Sequence, residues 1–223
     1  MKASFNGETR AAYDRWAPTY PPTAHNPLMR AEQHAMLRNW PDVTERRALD
    51  LGCGTGRYSR VLADAQAADI VAVDCCVSML RQVCGATRVC GDMMRLPFSR
   101  DCFDVVISGL ALGHASDLND WMSETARVLK PGGTLLYSDF HPEAARMGLQ
   151  RSFKDRQDRS WTVPHFQHDL ASQLAAAASA KLTVDQIDEV RVGVELRESF
   201  ENSDEFYRRW AGLPIVLIVR AHT

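Results

Sequence analysis

Hydrophobic positions along this chain alternate between two rhythms: short unbroken apolar runs, and longer stretches with helical spacing. The first run, Arg47–Leu51, predicts a buried strand, followed by a helix from Arg57 to Ala65. Ile70–Val73, Thr87–Val89, Phe103–Ile107 and Thr134–Ser138 predict four further strands, with a helix over Ser78–Val83. Leu118, Trp121, Met122, Thr125, Val128 and Leu129 keep helical spacing, and Ser116 or Asp117 can cap that helix. Lys130-Pro131-Gly132-Gly133 ends it, because proline cannot continue a helix and glycine permits positive φ. Such alternation implies a mostly parallel sheet with helices on both faces, an α/β fold.

The two ends read differently. Residues 1–45 gather Phe5, Tyr13, Trp16, Pro18, Tyr20, Pro21 and Pro22. A helix is expected over Pro27–Asn39, burying Leu28, Met29, Ala31, Ala35, Met36 and Leu37. A second amphipathic helix is expected to bury Leu170, Leu174 and Ala178. Val190, Val192, Val194 and Leu196 alternate with polar neighbours, which predicts a half-exposed strand. Ser203–Trp210 reads as a short helix and Leu213–Val219 as a final buried strand, a pair of strands added antiparallel at the sheet edge.

Composition narrows the class. The chain has 223 residues, 45% of them hydrophobic, and 26 Lys+Arg against 28 Asp+Glu. A net charge of −2 argues against a protein held by nucleic-acid phosphates. The strongest apolar run, Leu213–Val219, falls far short of the ~20 residues that span a bilayer. The polar start, Met1–Asp14, lacks the apolar core of a signal peptide, so a cytoplasmic location is expected. None of the six cysteines forms a C-x-x-C pair, so reduced thiols and no metal site are expected.

The chemistry sits in Asp50-Leu51-Gly52-Cys53-Gly54-Thr55-Gly56. A strand, a glycine turn and a helix bring backbone N–H groups and a helix N-terminus to a ligand. Gly52, Gly54 and Gly56 form G-x-G-x-G, and Arg57 stands where a dinucleotide fold needs its third glycine, which disfavours NAD. Asp74, at the predicted end of the second strand and 22 residues beyond Gly52, can accept from both hydroxyls of a ribose. Asp92, after the third strand, can accept from an exocyclic amine such as that of adenine.

These blocks, in this order, resemble the class I S-adenosylmethionine-dependent methyltransferases over residues 48–139. The matching stretches are Ala48–Gly56, Val73-Asp74 with Ser78-Met79-Leu80, Gly91-Asp92-Met93, Leu96-Pro97-Phe98, Phe103–Val106 and Arg127–Gly133. Tyr13–Tyr20 resembles the lid segment of the small-molecule branch, which includes the ubiquinone- and biotin-pathway enzymes. The resemblance implies one Rossmann-like domain over residues 1–223. Its parts would be a helical lid (1–45), a cofactor core (46–140), an acceptor-covering insertion (141–181) and antiparallel C-terminal strands (182–223). The sheet would be seven-stranded with its last strand antiparallel. It further implies that Asp50, Gly52, Cys53, Gly54 and Gly56 surround the methionine part of S-adenosylmethionine, and that Asp74 holds the ribose. Cys75 and Met79 would pack near the adenosine, Asp92 and Met93 would meet the adenine, and Leu110 would lie beside the sulfonium. Tyr13 and Tyr20 would close over the cofactor.

Methyl transfer from a sulfonium needs alignment, and needs a base only when the acceptor holds its proton. His114 and His141, in the loops after the fourth and fifth strands, are the candidate bases. The basic stretch Arg146, Arg151, Lys154, Arg156 and Arg159 reads either as a solvated helix face or as a dock for an acidic carrier. The expected activity is methyl transfer to O, N or C of a small molecule by in-line displacement, by a monomer or homodimer. The alternative is carboxyl methylation of an acid on an acyl carrier protein.

Overall fold

A computed structural model describes residues 7–197 and 203–223; Phe5 lies outside them. The helices are α1 (Gly7–Trp16), α2 (Pro27–Arg38), α3 (Arg57–Asp64), α4 (Val77–Leu80), α5 (Leu118–Val128), α6 (Pro142–Arg146), α7 (Leu170–Ser179), α8 (Val194–Arg197) and α9 (Ser203–Trp210). The strands are β1 (Arg47–Leu51), β2 (Asp69–Asp74), β3 (Thr87–Cys90), β4 (Phe103–Gly109), β5 (Leu129–Phe140), β6 (Ser152–Lys154), β7 (Ser160–Thr162), β8 (Thr183–Arg191) and β9 (Pro214–His222).

Seven strands form one sheet in the order β3-β2-β1-β4-β5-β9-β8, and β6 pairs with β7 in a separate hairpin. β1 to β5 are mutually parallel, whereas β9 runs antiparallel to both β5 and β8. Strand alternation sorts the core into two layers. Leu49, Leu51, Val71, Val73 and Val106 face Trp121 and Met122 of α5 and Ala176 and Ala177 of α7. Ala48, Ile70, Val105 and Ile107 face Met36 of α2, Tyr58 and Leu62 of α3, and Trp210 of α9. β1 pairs with β2 on one side and β4 on the other, so the chain reverses its direction of winding there. Ligands in such sheets bind in the crevice that opens at the carboxyl ends of those strands.

Three predicted elements differ. The strand expected through Leu196 stops at Arg191, where its partner is Pro214. Proline offers no N–H to carry the ladder further. Beyond it Val192 and Leu196 are buried at helical spacing, while Val194 is 68% exposed. In α2 the buried face is Met29, Glu32, Ala35 and Met36, and Leu37 is exposed. In α7 the buried residues are Gln173, Ala176 and Ala177, because the Gln173 amide accepts from Tyr137 Oη (3.0 Å) and donates to the His168 carbonyl (2.8 Å). α7 packs on α5 rather than over the crevice, so only the start of the 141–181 segment reaches the site.

Candidate active site

The glycine loop turns back on β2: the N–H groups of Gly52 and Cys53 both donate to the Val73 carbonyl, at 2.9 and 3.0 Å. Gly52 has φ +70, and a Cβ there would lie 2.5 Å from that of Ala111, so no side chain fits. Asp74 clamps the loop. Its Oδ2 accepts from Gly54 N and its Oδ1 from Cys76 N, each at 2.8 Å. Burial raises its pKa, and the two backbone N–H groups work against that rise. Asp50, buried at the end of β1, accepts from Ser59 Oγ at 2.6 Å, and burial pushes its carboxyl up to about 6.

Above this loop lies a cavity of about 310 Å³. Asp50, Gly52, Cys53, Gly54, Asp74, Cys75 and Met93 line one end of it. Leu110 and His114, after β4, line its wall, and Tyr13, Trp16 and Tyr20 of the N-terminal segment form its roof. The roof is an aromatic stack, with Trp16 lying flat on Phe153 of β6 at 4.5 Å between centroids. Three of the residues expected around the cofactor do not line the cavity. Met79 packs beneath the roof with Ala12, Trp16 and Cys76. Gly56 caps α3 with φ +82, and a Cβ there would press on Val83 at 3.1 Å. Asp92 sits beside Met93; its Oδ1 accepts from Met94 N at 2.9 Å, while its buried Oδ2 has no hydrogen-bond partner among the described residues.

The two candidate bases part company. His141 faces away: its Nδ1 accepts from Glu143 N at 3.2 Å, capping α6, and its Nε2 lies 3.3 Å from Glu189. His114 lines the cavity but is fully engaged. Its Nδ1 donates to the Pro164 carbonyl (3.2 Å), which leaves Nε2 to accept from Tyr13 Oη (2.9 Å) and Arg151 Nη1 (2.8 Å). Burial, and then the Arg151 charge, hold its pKa well below the usual histidine range.

Arg151 corrects the reading of the basic stretch as one helix face. Arg146 ends α6, Lys154, Arg156 and Arg159 lie in the β6–β7 hairpin, and Arg151 points inward at its base. Its Nη2 donates to the Leu110 carbonyl at 2.7 Å, its Nη1 contacts Tyr13 and His114, and its guanidinium lies 4.9 Å from the centre of the Phe140 ring. All these partners are neutral, and among the described residues Arg151 has no ion pair. The nearby Asp139 is 3% exposed, burial pushes its carboxyl up to about 7, and it does not line the cavity. The signal that could have revealed the hairpin is the alternation of apolar Phe153, Trp161 and Val163 with polar neighbours.

Sequence reasoning also missed a polar cluster below the cavity. Glu32 of α2 has no exposed surface, yet it accepts from Arg57 Nη1 (2.7 Å), Tyr58 Oη (2.7 Å) and Ser138 Oγ (2.5 Å). Burial opposes the Arg57 charge, and Glu32 and Tyr58 together leave its pKa raised all the same. Arg57 is thus the residue that replaces the dinucleotide glycine, and Gly109 supplies the space instead: a Cβ there would lie 2.0 Å from the Tyr58 ring. Among the described residues no cluster of His, Cys, Asp or Glu is arranged to hold a metal, and no helix is long and apolar enough to cross a membrane.

This sheet order, with a glycine loop after β1 and an acidic residue at the end of β2, is the architecture of the class I methyltransferase fold. Residues 49–137 match the family described as "Methyltransferase domain". An S-adenosylmethionine-dependent methyltransferase from Mesorhizobium loti superposes with a TM-score of 0.70 at 22% identity, covering 86% of this chain and 98% of that one. Residues 49–137 thus carry a methyltransferase domain, and the chain has the fold of the S-adenosylmethionine-dependent methyltransferases. Two curated relatives narrow the neighbourhood, both named malonyl-[acyl-carrier protein] O-methyltransferase. The protein of Methylovorus sp. (strain MP688) is 31% identical over 75% of this chain and 62% of its own length. That of Herminiimonas arsenicoxydans is 43% identical over 44% of this chain and 38% of its own length. The match thus spans less than two thirds of either relative.

The cofactor of this class fits the residues present. The unpartnered Asp92 Oδ2 is a buried acceptor without a donor, and Gly54, with φ +55, leaves open space where a side chain would stand.

Proposed function

We propose that this chain transfers a methyl group from S-adenosylmethionine to the carboxylate of an acidic acceptor, a malonyl-type thioester on an acyl carrier protein. When bound, the cofactor supplies an electrophilic methyl group on a sulfonium. Asp74 would accept from the ribose hydroxyls and Asp92 Oδ2 from the adenine amine. Met93 and Cys75 would pack on the adenosine, with Asp50, Gly52, Cys53 and Gly54 around the methionine part. Tyr13, Trp16 and Tyr20 exclude water from above.

The observation that carries the acceptor class is Arg151. A guanidinium in a partly desolvated wall, whose hydrogen-bond partners are all neutral and whose one nearby carboxyl, Asp139, lies outside the cavity, favours an anion beside it. A carboxylate also needs no base, since it has lost its proton before it arrives. At this end of the cavity His114 has no free lone pair, and burial pushes the Tyr13 phenol up, so neither is poised to take a proton. An amine, phenol or carbon acceptor would need such a base. The names of the relatives supply the carrier.

The test offers methyl-labelled cofactor with malonyl-carrier protein, with free malonate and with a panel of phenols and amines. Base-labile label on the carrier is expected. Arg151→Gln should lower kcat/KM for it by about 10- to 100-fold, as for a lost hydrogen bond to a charged group. Base-stable label on a phenol or amine, or an Arg151→Gln enzyme as efficient as wild type, overturns the proposal.

A further inference from the structure

We propose that Glu32 and Ser138 are positioning residues that hold the Leu110 turn, and through it Arg151, in working geometry. The proposal deepens the reading of Arg151 as the acceptor anchor and rests on it for the outer end of the chain of contacts.

Leu110 is a non-glycine residue at φ +57, a conformation that costs an L-residue energy and persists only when its surroundings impose it. What imposes it is Ser138 on the neighbouring strand. The Leu110 N–H donates to both the Ser138 carbonyl (2.9 Å) and its Oγ (3.0 Å). A serine hydroxyl rotates, and it accepts from Leu110 only while its own proton points elsewhere. Here that proton goes to Glu32 Oε1 at 2.5 Å. Glu32 therefore sets the direction of the Ser138 lone pairs. The left-handed turn then aims the Leu110 carbonyl outward, where it accepts from Arg151 Nη2 at 2.7 Å.

The other side of Glu32 reaches the cofactor end. Arg57 and Tyr58, the first residues of α3 after the glycine loop, donate to its two oxygens. One buried carboxylate thus joins the helix that follows the glycine loop to the strand that carries the acceptor wall. Glu32 and Ser138 are both fully buried and neither lines the cavity, so neither touches a ligand there. Burying a carboxylate is costly, and a purely structural role would be served as well by an apolar residue. A role in orienting a hydroxyl would not.

The experiment uses the full chain with Ser138→Ala and Ser138→Thr. Alanine removes the hydroxyl but keeps the backbone carbonyl bond; threonine keeps the hydroxyl. Melting temperature, affinity for S-adenosylhomocysteine by calorimetry, and kcat and KM for the acceptor are measured, with Arg151→Gln in parallel. Ser138→Ala should lower kcat/KM by about 10- to 100-fold, the scale of a small misplacement of an aligning group. Its cofactor affinity should stay within about twofold, and Ser138→Thr should restore the rate. Unchanged kinetics in Ser138→Ala overturn the positioning role, as does a loss that merely tracks cofactor affinity or melting temperature. If Arg151→Gln is silent while Ser138→Ala is slow, the positioning of Leu110 stands and the acceptor reading falls. If only Arg151→Gln is slow, the reverse holds.

Discussion

Replacing Asp74 probes the joint between loop geometry and cofactor binding. In the structure each Asp74 oxygen accepts one backbone N–H, from Gly54 and Cys76, both at 2.8 Å. A carboxylate oxygen has two lone-pair sites; Oδ1 also takes the Cys75 thiol at 3.7 Å, whereas Oδ2 keeps one site for a ribose hydroxyl. Asp74→Ala removes both functions. The ligand loses a charge-assisted hydrogen bond, worth about 1.5–3 kcal/mol, or roughly 10- to 150-fold in affinity. The loop loses its clamp as well: Gly54 borders the cavity, where water can replace the lost acceptor, but Cys76 is buried, so the melting temperature should also fall by several degrees. Asp74→Asn is the sharper variant. Its amide nitrogen must face one of the two backbone N–H groups, donor against donor, so it should bind nearly as poorly as alanine. Isothermal titration with S-adenosylhomocysteine measures this without turnover. An affinity within about twofold of wild type in Asp74→Ala, below the smallest loss expected for a charged hydrogen bond, would refute the reasoning.

Two further outcomes test packing and electrostatics. Gly109→Ala places a Cβ 2.0 Å from a Tyr58 ring whose hydroxyl is held by Glu32, so thermal melts should show a loss of about 1–3 kcal/mol, or roughly 2–12 °C. A companion Tyr58→Leu change should recover part of that loss, and a full loss in both backgrounds contradicts the clash. Asp139 has its pKa raised to about 7 by burial, against about 3.9 when unfolded. Between those values the folded state keeps a proton that the unfolded chain releases, so wild-type stability falls as pH rises through that window. Asp139→Asn has no such penalty, so its melting temperature relative to wild type should climb from pH 5 to pH 8. A constant difference rules out the raised pKa.

Much of the fold was legible because parallel strands buried on both faces are continuous apolar runs. β1 and α9 were predicted to the residue, and the glycine loop, Asp74 and Asp92 lie at strand ends as expected. These are local matters: a strand, a turn that only glycine can make, and a carboxylate where the next strand stops. The edge was less legible. β8 has one partner and one open side, so its residues are mostly polar, and apolar alternation pointed instead to Val194, which is exposed on a helical turn.

What the chain determined by itself was therefore the class of the cofactor end. The acceptor end was decided only by tertiary structure. Arg151 and His114 lie 37 positions apart, and Tyr13 is 138 positions from Arg151; nothing in spacing or period brings them together. Glu32 looked like the polar face of α2, and it is buried because Arg57, Tyr58 and Ser138, from two other elements, converge on it. A charge reads as surface in a sequence. Only the partners that compensate its desolvation can turn it inward, and those partners exist only once the chain has folded.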